Sequence, residues 1–274
     1  MIAPGFAAIA AFAAAGLAAW CNRRVIGFLP DDPPRAGRKQ HGRPIPIAGI
    51  VLVPAVAPWF VASGSWWPLL AMLAAAATGF VDDRRKEHDR DLGWREKALG
   101  LTVASMLGAM GVVSPAASPL AFVVIVPFVF VLTNATNFLD NTNGVAASLA
   151  ATSLLLLSDA SGPFAALGCA ALGFLPWNWP HARLFLGDSG AYALGVATGI
   201  AAADRALVAP AELAAVAVQL VDFVQVVVAR LALGLPPWVG DRRHLFHIVQ
   251  NLGVPMSAVA PLLVALLVLC SSIF

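Results

Sequence analysis

Positive charge in this chain is confined to a few polar islands that recur after every second hydrophobic segment, and that spacing leaves little choice of fold. The islands cover residues 21–46, 82–97, 180–188 and 230–253, with a smaller one at Asn134–Gly144. Every Lys and Arg except Arg205 falls within them. The alternate connections, near Gly64, Ser114–Ser118, Asp159–Gly162 and Ala203–Pro210, are short and carry only Arg205 as a cation. A chain that crosses a bilayer repeatedly and keeps its Lys and Arg on the cytoplasmic side has this layout.

Charged residues make up 12% of the chain and hydrophobic ones 59%, with a mean hydropathy of +0.81. A soluble domain carries about 25% charged residues, so the composition is that of a membrane protein. Hydrophobic stretches occur at roughly 2–20, 47–63, 66–82, 98–114, 118–139, 143–158, 162–178, 189–203, 207–229 and 255–273. Lipid offers no partner to unpaired backbone groups, so these stretches are expected to be helices. The expected fold is all-α: a polytopic membrane protein of about ten transmembrane helices in a single integral membrane domain, residues 1–274. Ten spans with the cationic islands inside place both termini outside, and 189–203 is the weakest of the ten. The first stretch has no Lys or Arg before it, and Arg23 and Arg24 follow it, the reverse of a signal peptide. It is therefore expected to remain as a helix. Cys21, Cys169 and Cys270 lack ligand spacing, which argues against a disulfide or zinc site. A net charge of only +2, distributed so unevenly, speaks for topology and anionic ligands and for no nucleic acid partner.

The islands carry the chemistry. In GFVDDRRKEHDRDLGWREK (79–97), Asp82 and Asp83 emerge directly from an apolar helix, where an acid is costly. Consecutive helical residues point about 100° apart, so the two acids cannot both aim at one ion. One is placed to face a metal or act as a base and the other to bind a neighbouring cation. A solvated charge run explains Glu87–Arg90 well and the two acids less well. Lys86 and Lys97 are candidate phosphate contacts. In NATNFLDNTNG (134–144), Asn134, Asn137 and Asp140 recur every third residue and so share one side of a helix end, followed by an Asn143–Gly144 turn. Helix capping accounts for one or two of these polar groups, not all. GDSG at 187–190 flanks Asp188 with glycines at a helix start, a setting that suits phosphate or a cap. No Ser/His/Asp set accompanies Ser189, so a serine nucleophile is not expected. The last island carries Arg242, Arg243, His244 and His247; histidines three apart suit a metal, but two adjacent arginines favour phosphate. Asp222 and Arg230, in or at the end of the ninth stretch, are expected to pair structurally. Lys39, His41 and Arg43 of the proline-rich first island are candidate anion contacts.

Together and in order, RKQHGRPIPIAG (38–49), GFVDD (79–83), NATNFLDNTNG (134–144), GFLPWNWPHARLFLGDSG (173–190) and DRRHLFH (241–247) resemble the polyprenyl-phosphate N-acetylhexosamine-1-phosphate transferase superfamily, glycosyltransferase family 4 of bacteria. The last island is more similar to the N-acetylglucosamine branch than to the peptidoglycan branch. The resemblance implies that Asp82 and Asp83 are the paired acids that bind metal or deprotonate the lipid phosphate. It implies that Asp188 is a magnesium ligand, with Asp83 as its companion, and that Mn²⁺ is an acceptable substitute. It makes Asp82, Asp83 and Asp188 the candidate catalytic residues. It places Asn137 and Asp140, with Asn134 and Asn143 beside them, at the nucleotide sugar, His244 near the diphosphate, and Lys97 at a family lysine. Two positions depart from the pattern: Asn143 stands where the family has a second acid, and Phe246 at a histidine position.

The implied activity is transfer of an N-acetylhexosamine 1-phosphate from a UDP-N-acetylhexosamine to undecaprenyl phosphate at the cytoplasmic face of a bacterial inner membrane, releasing UMP. A homodimer is compatible with this reading. A transferase of the phospho-N-acetylmuramoyl-pentapeptide type, an inactive lipid-binding paralogue and a membrane transporter are the alternatives. A transporter carries its polar groups near the midplane, whereas here they gather at one boundary. The orientation has a direct test: cysteines introduced at Glu87 and Arg242 will resist a membrane-impermeant thiol reagent in intact cells, while one at Asp159 will label. Labelling of position 87 from outside would overturn the topology.

Overall fold

Backbone N–H and C=O groups carried into lipid must pair within their own segment, and the chain places helices in all ten hydrophobic stretches. The computed structural model describes residues 3–21, 29–32, 44–88, 90–238 and 243–273. The helices are α1 (Gly5–Cys21), α2 (Leu52–Ala62), α3 (Trp66–Lys86), α4 (Trp94–Met110), α5 (Pro119–Leu139), α6 (Val145–Leu157), α7 (Pro163–Asn178), α8 (Gly187–Ala206), α9 (Ala217–Ala232), α10 (Leu245–Asn251) and α11 (Met256–Ile273). A 3₁₀ turn, Gly49–Val51, leads into α2, and another, Pro210–Val216, leads into α9. The short α10 lies in the last polar island. The one sheet among the described residues pairs β1 (Asp31–Asp32) antiparallel with β2 (Ile45–Pro46).

By length and apolar content alone, Pro119–Leu139, Pro210–Ala232 and Met256–Ile273 suffice to cross a membrane. Gly5–Ala18, Gly49–Ala62 and Val145–Leu157 are apolar but shorter. Large hydrophobic side chains such as Leu99, Leu120, Val123, Val208 and Leu269 stand on the outside of the bundle, as expected where the solvent is hydrocarbon. Several hydroxyl groups inside it are satisfied locally. Ser105, Thr133, Thr136 and Thr198 each donate to the carbonyl four residues back at 2.7–2.9 Å, so none needs a partner from another helix.

α8 occupies the centre, with every residue from Ser189 to Ala203 buried. It packs along α3 and α5 and also touches α4 and α6. Its sequence, GDSGAYALGVATGIAAADRA, is weakly apolar because a helix surrounded by other helices needs small side chains rather than greasy ones. That is why the 189–203 stretch looks the weakest from sequence. The crossing with α3 is the tightest: a Cβ added at Gly79 would lie 2.4 Å from the Asp188 carbonyl carbon and the Ser189 nitrogen. Both obstacles are backbone, which cannot rotate away. Gly79→Ala will therefore separate α3 from α8 and lower stability by about 1–3 kcal/mol. Thermal unfolding in detergent measures it, and an unchanged midpoint would show that the contact is looser than described.

Candidate functional site

α3, α4, α5 and α8 bring their polar ends together at one end of the bundle. Asp82 and Asp83, successive residues of α3, diverge as helical geometry demands. Asp82 is fully buried. Its Oδ1 accepts the Leu92 N–H at 2.7 Å, pinning the α3–α4 connection, and its Oδ2 faces Lys86 Nζ at 2.6 Å and Lys97 Nζ at 2.7 Å. Lys86 is one turn further along α3; Lys97 lies in the first turn of α4. Glu96 accepts the Gly93 N–H at 2.7 Å and so starts α4 where Lys97 can reach inward.

Asp83 turns the other way and fastens α8. Its Oδ1 accepts the Asp188 N–H and its Oδ2 the Ser189 N–H, both at 3.0 Å. A carboxylate on a helix N-terminus satisfies otherwise orphaned donors and complements the helix dipole. Gly187 precedes these donors with φ +67°, and a side chain there would strike Ile47 and Asp83. The approach to α8 is braced: Phe185 exchanges backbone hydrogen bonds with Pro46 and Ala48, each at 2.9 Å.

Asp188, in the first turn of α8, is the hub. Its Oδ2 lies 2.9 Å from Lys86 Nζ and 3.8 Å from Lys97 Nζ, and its Oδ1 accepts the Asn137 amide at 3.0 Å. Tyr192, one turn on, brings its hydroxyl to 3.4 Å from Oδ2. Asp140 caps α5, with the Gly187 backbone beside its carboxyl group. Withdrawal from solvent, then the Asp188 and Asp83 charges, push its carboxyl well above the usual carboxylate range, against the opposing pull of the Gly187 backbone and Lys86. The neighbouring Ser189 is buried, and its hydroxyl has no hydrogen-bond partner among the described residues.

Asn134 and Asn143 are employed elsewhere. The Asn134 amide donates to Phe130 O within α5 at 2.8 Å, so the three-residue spacing does not bring it to Asp188. The Asn143 amide donates to Pro180 O at 3.1 Å, beside Gly144 N–H to Asn178 Oδ1 and Asn178 Nδ2 to Leu184 O. These bonds hold the α7–α8 connection against the α5–α6 turn. A carboxylate at 143 has no hydrogen to donate there.

His244 is 2% exposed and stands before α10 as its N-cap rather than sharing a helical face with His247. Its Nδ1 lies 2.8 Å from Asp222 Oδ2. The expected Asp222–Arg230 pair is replaced: Asp222 engages His244, while Arg230 donates to Pro237 O and lies over the Phe138 ring at 4.8 Å. Phe138 also meets His244 edge-on at 5.7 Å. α5 thus presents Asn137 to Asp188 and Phe138 to His244 from adjacent positions. Arg243 is half-buried and its carbonyl accepts the Gln225 amide; His247 packs on Phe246, with ring centroids 4.1 Å apart. Lys39, His41, Arg43 and Arg242 lie outside the described residues. Tyr192 and Asp222 belong to no quoted motif. Each carried one signal: Tyr192 is the only tyrosine and sits four residues after Asp188, and Asp222 is an acid within an apolar stretch.

Four carboxyl groups (Asp82, Asp83, Asp140, Asp188) therefore meet two ammonium groups (Lys86, Lys97). The surplus of hard oxygen ligands suits a divalent cation such as Mg²⁺. Asp82 Oδ2 and Asp188 Oδ2 already share one cationic atom, Lys86 Nζ. No three His, Cys, Asp or Glu groups among the described residues converge as a complete metal cage. Magnesium sites on phosphate-transferring proteins are commonly one or two carboxylates completed by substrate phosphates, and the residues present fit that type.

Residues 65–205, just over half of the chain, match Glycosyl transferase family 4. The chain belongs to that family. The matched region contains the whole acid and lysine cluster. The chain is 32% identical over 155 residues to a decaprenyl-phosphate N-acetylglucosaminephosphotransferase of Mycolicibacterium smegmatis, covering 44% of this chain and 38% of that protein. It is 29% identical over 164 residues to an undecaprenyl-phosphate alpha-N-acetylglucosaminyl 1-phosphate transferase of Thermotoga maritima, covering 58% and 51%. It is 36% identical over 152 residues to a phospho-N-acetylmuramoyl-pentapeptide-transferase of Deinococcus radiodurans, covering 48% of each. The matches span about two fifths to one half of these relatives' length.

The two hydrogen-bonded acids predict different phenotypes. Asp83→Asn keeps one acceptor but turns an N–H₂ group toward an N–H of α8, leaving a buried donor unpaired at a cost of about 1–3 kcal/mol. Its thermal midpoint in detergent will fall. Asp188→Asn, which leaves both lysines on Asp82, will unfold close to the unaltered protein. A reversed order would show that Asp188, not Asp83, secures α8.

Proposed function

We propose that this family member transfers a sugar 1-phosphate, an N-acetylhexosamine 1-phosphate, from a UDP-sugar to undecaprenyl phosphate and releases UMP. The observation that carries the reading is the cluster in which Asp82 and Asp188 share Lys86 and Lys97 beside the N-terminus of α8. Such a cluster carries the charges that would pair with a diphosphate, a second phosphate and a divalent cation, the reactants of phosphoryl exchange. In this reading ten helices span the bacterial inner membrane, both termini are external, and the cluster faces the cytosol, where nucleotide sugars are.

A phosphate oxygen of the lipid attacks the sugar-linked phosphorus, the bond from that phosphorus to the bridging oxygen breaks, and UMP departs. The work of the protein is placement and charge neutralisation. Lys86 and Lys97 neutralise diphosphate oxygens. Asp82 or Asp83 orients or deprotonates the acceptor phosphate. Asn137 and Asp140 hold the nucleotide sugar, with Asn134 and Asn143 supporting them at the neighbouring helix end and turn. Arg242, Arg243, His244 and His247, with Lys39 and His41, supply further phosphate contacts. Asp188, with Asp83 and Asp82 beside it, would hold Mg²⁺, which when bound stabilises the negative charge of the leaving nucleotide. The similarity to the Deinococcus radiodurans protein supports a second reading in which the transferred group is phospho-N-acetylmuramoyl-pentapeptide.

Attack at phosphorus yields UMP, whereas attack at the anomeric carbon yields UDP. The cluster offers cations for a diphosphate and no pair of carboxylates bracketing a sugar ring. One diphosphate linkage replaces another, so the reaction will run backwards readily. Radiolabelled UMP, added to purified protein with undecaprenyl phosphate and unlabelled UDP-N-acetylglucosamine, will enter the UDP-sugar pool in a Mg²⁺-dependent manner. Asp188→Asn will abolish that exchange, and Asp82→Asn and Asp83→Asn will each slow it at least about tenfold, or about 1.4 kcal/mol of barrier. Release of UDP, or no exchange with any UDP-N-acetylhexosamine or UDP-N-acetylmuramoyl-pentapeptide, would sink the proposal.

A further inference from the structure

Asp222 has no place in the acid cluster, yet it is as fully buried as Asp82. It is 0% exposed, and both its oxygens are committed to the start of α10. Oδ1 accepts the Leu245 N–H at 2.6 Å, and Oδ2 lies 2.8 Å from His244 Nδ1. An ionised carboxylate only accepts hydrogen bonds, so the proton on this contact belongs to Nδ1. The ring is held as well as the tautomer: Phe246 stacks on it at 5.5 Å and 8°, and Phe138 meets it edge-on. His244 is therefore fixed in position, plane and tautomer, with Nε2 as its one nitrogen without a hydrogen-bond partner among the described residues.

We propose that Asp222 is a positioning residue: it holds His244 as the Nδ1–H tautomer so that Nε2 meets a phosphate oxygen of a substrate. When that oxygen carries a proton, the O–H bond breaks, an Nε2–H bond forms, and the Asp222 carboxylate balances the imidazolium. Location favours this role, because adjacent residues of α5 touch His244 and Asp188. The inference rests on the transferase reading for the identity of the phosphate and on the Asp222–His244 geometry for everything else.

Two measurements on the full chain in nanodiscs separate these supports. With ¹⁵N-labelled histidine, and His244→Gln to assign the signal among the five histidines, His244 will show a protonated Nδ1 and an unprotonated Nε2. In Asp222→Asn, whose amide still accepts from Leu245 while its N–H₂ faces Nδ1, the tautomer will invert. UDP and undecaprenyl phosphate, each added alone, identify which phosphate shifts the Nε2 signal; no shift with either would overturn the proposal. In the UMP-exchange assay, Asp222→Asn will lower kcat at least about tenfold, less than the roughly hundredfold or more lost with a proton-transferring group itself, with KM for the UDP-sugar changed less than twofold. The Asp222→Asn, His244→Gln double variant will be no slower than His244→Gln alone. An unchanged tautomer in Asp222→Asn, or losses that multiply in the double variant, would also overturn it. If the unaltered protein exchanges no UMP, the transferase reading fails, and the tautomer and ligand shifts still decide the role of Asp222.

Discussion

Backbone-to-backbone contact between α3 and α8 is the constraint on which the rest of the site depends. Gly79 lets the Asp188–Ser189 peptide lie directly on α3, and only at that separation do the Asp83 oxygens reach two N–H groups of α8. Once α8 is seated, Asp188 falls beside Lys86 and within reach of Asn137. A slightly wider crossing would leave Asp83 with unpaired oxygens, α8 with unpaired donors and Asp188 out of register. The small residues that make α8 a poor match to lipid are what make it a good centre for a bundle.

Around that contact the acids divide their labour. Asp83 is structural in the first instance, a cap supplied by one helix to another, while Asp82 and Asp188 hold ammonium groups between them. The lysines keep a concentration of negative charge tolerable at a membrane boundary, where unpaired acids are expensive. His244, on the other flank of the α5 end, is governed by an acid of its own, so the site has two carboxylate-controlled halves joined through Asn137 and Phe138.

Much of this was legible in the residues. Hydrophobic stretches located the helices because lipid leaves the backbone no alternative, and the polar islands identified the helix ends that meet. The divergence of Asp82 and Asp83 followed from helical geometry, as did the placement of Asn137 and Asp140 at one helix end. What stayed hidden depended on which helices are neighbours. Asn134 has the same spacing as Asn137, yet its amide turns back on its own helix. Asn143 is read as a substituted ligand in the motif, but its amide is used as a donor to Pro180. Asp222 was paired with Arg230 because both lie on one helix; packing against Phe138 carries the arginine away and leaves the acid to His244.

The central place of α8 has a consequence for how the protein is made. α3 and α5 precede it in the chain, so the surfaces that receive it are synthesised first. α8 has many glycine, alanine, serine and threonine residues where lipid-facing helices have leucine and valine, so it gains less from hydrocarbon and more from close packing. Its entry is driven by the vacancy its neighbours enclose and by the carboxylate waiting at the mouth of it. The hub of the site therefore arrives only with the segment that completes the bundle's interior.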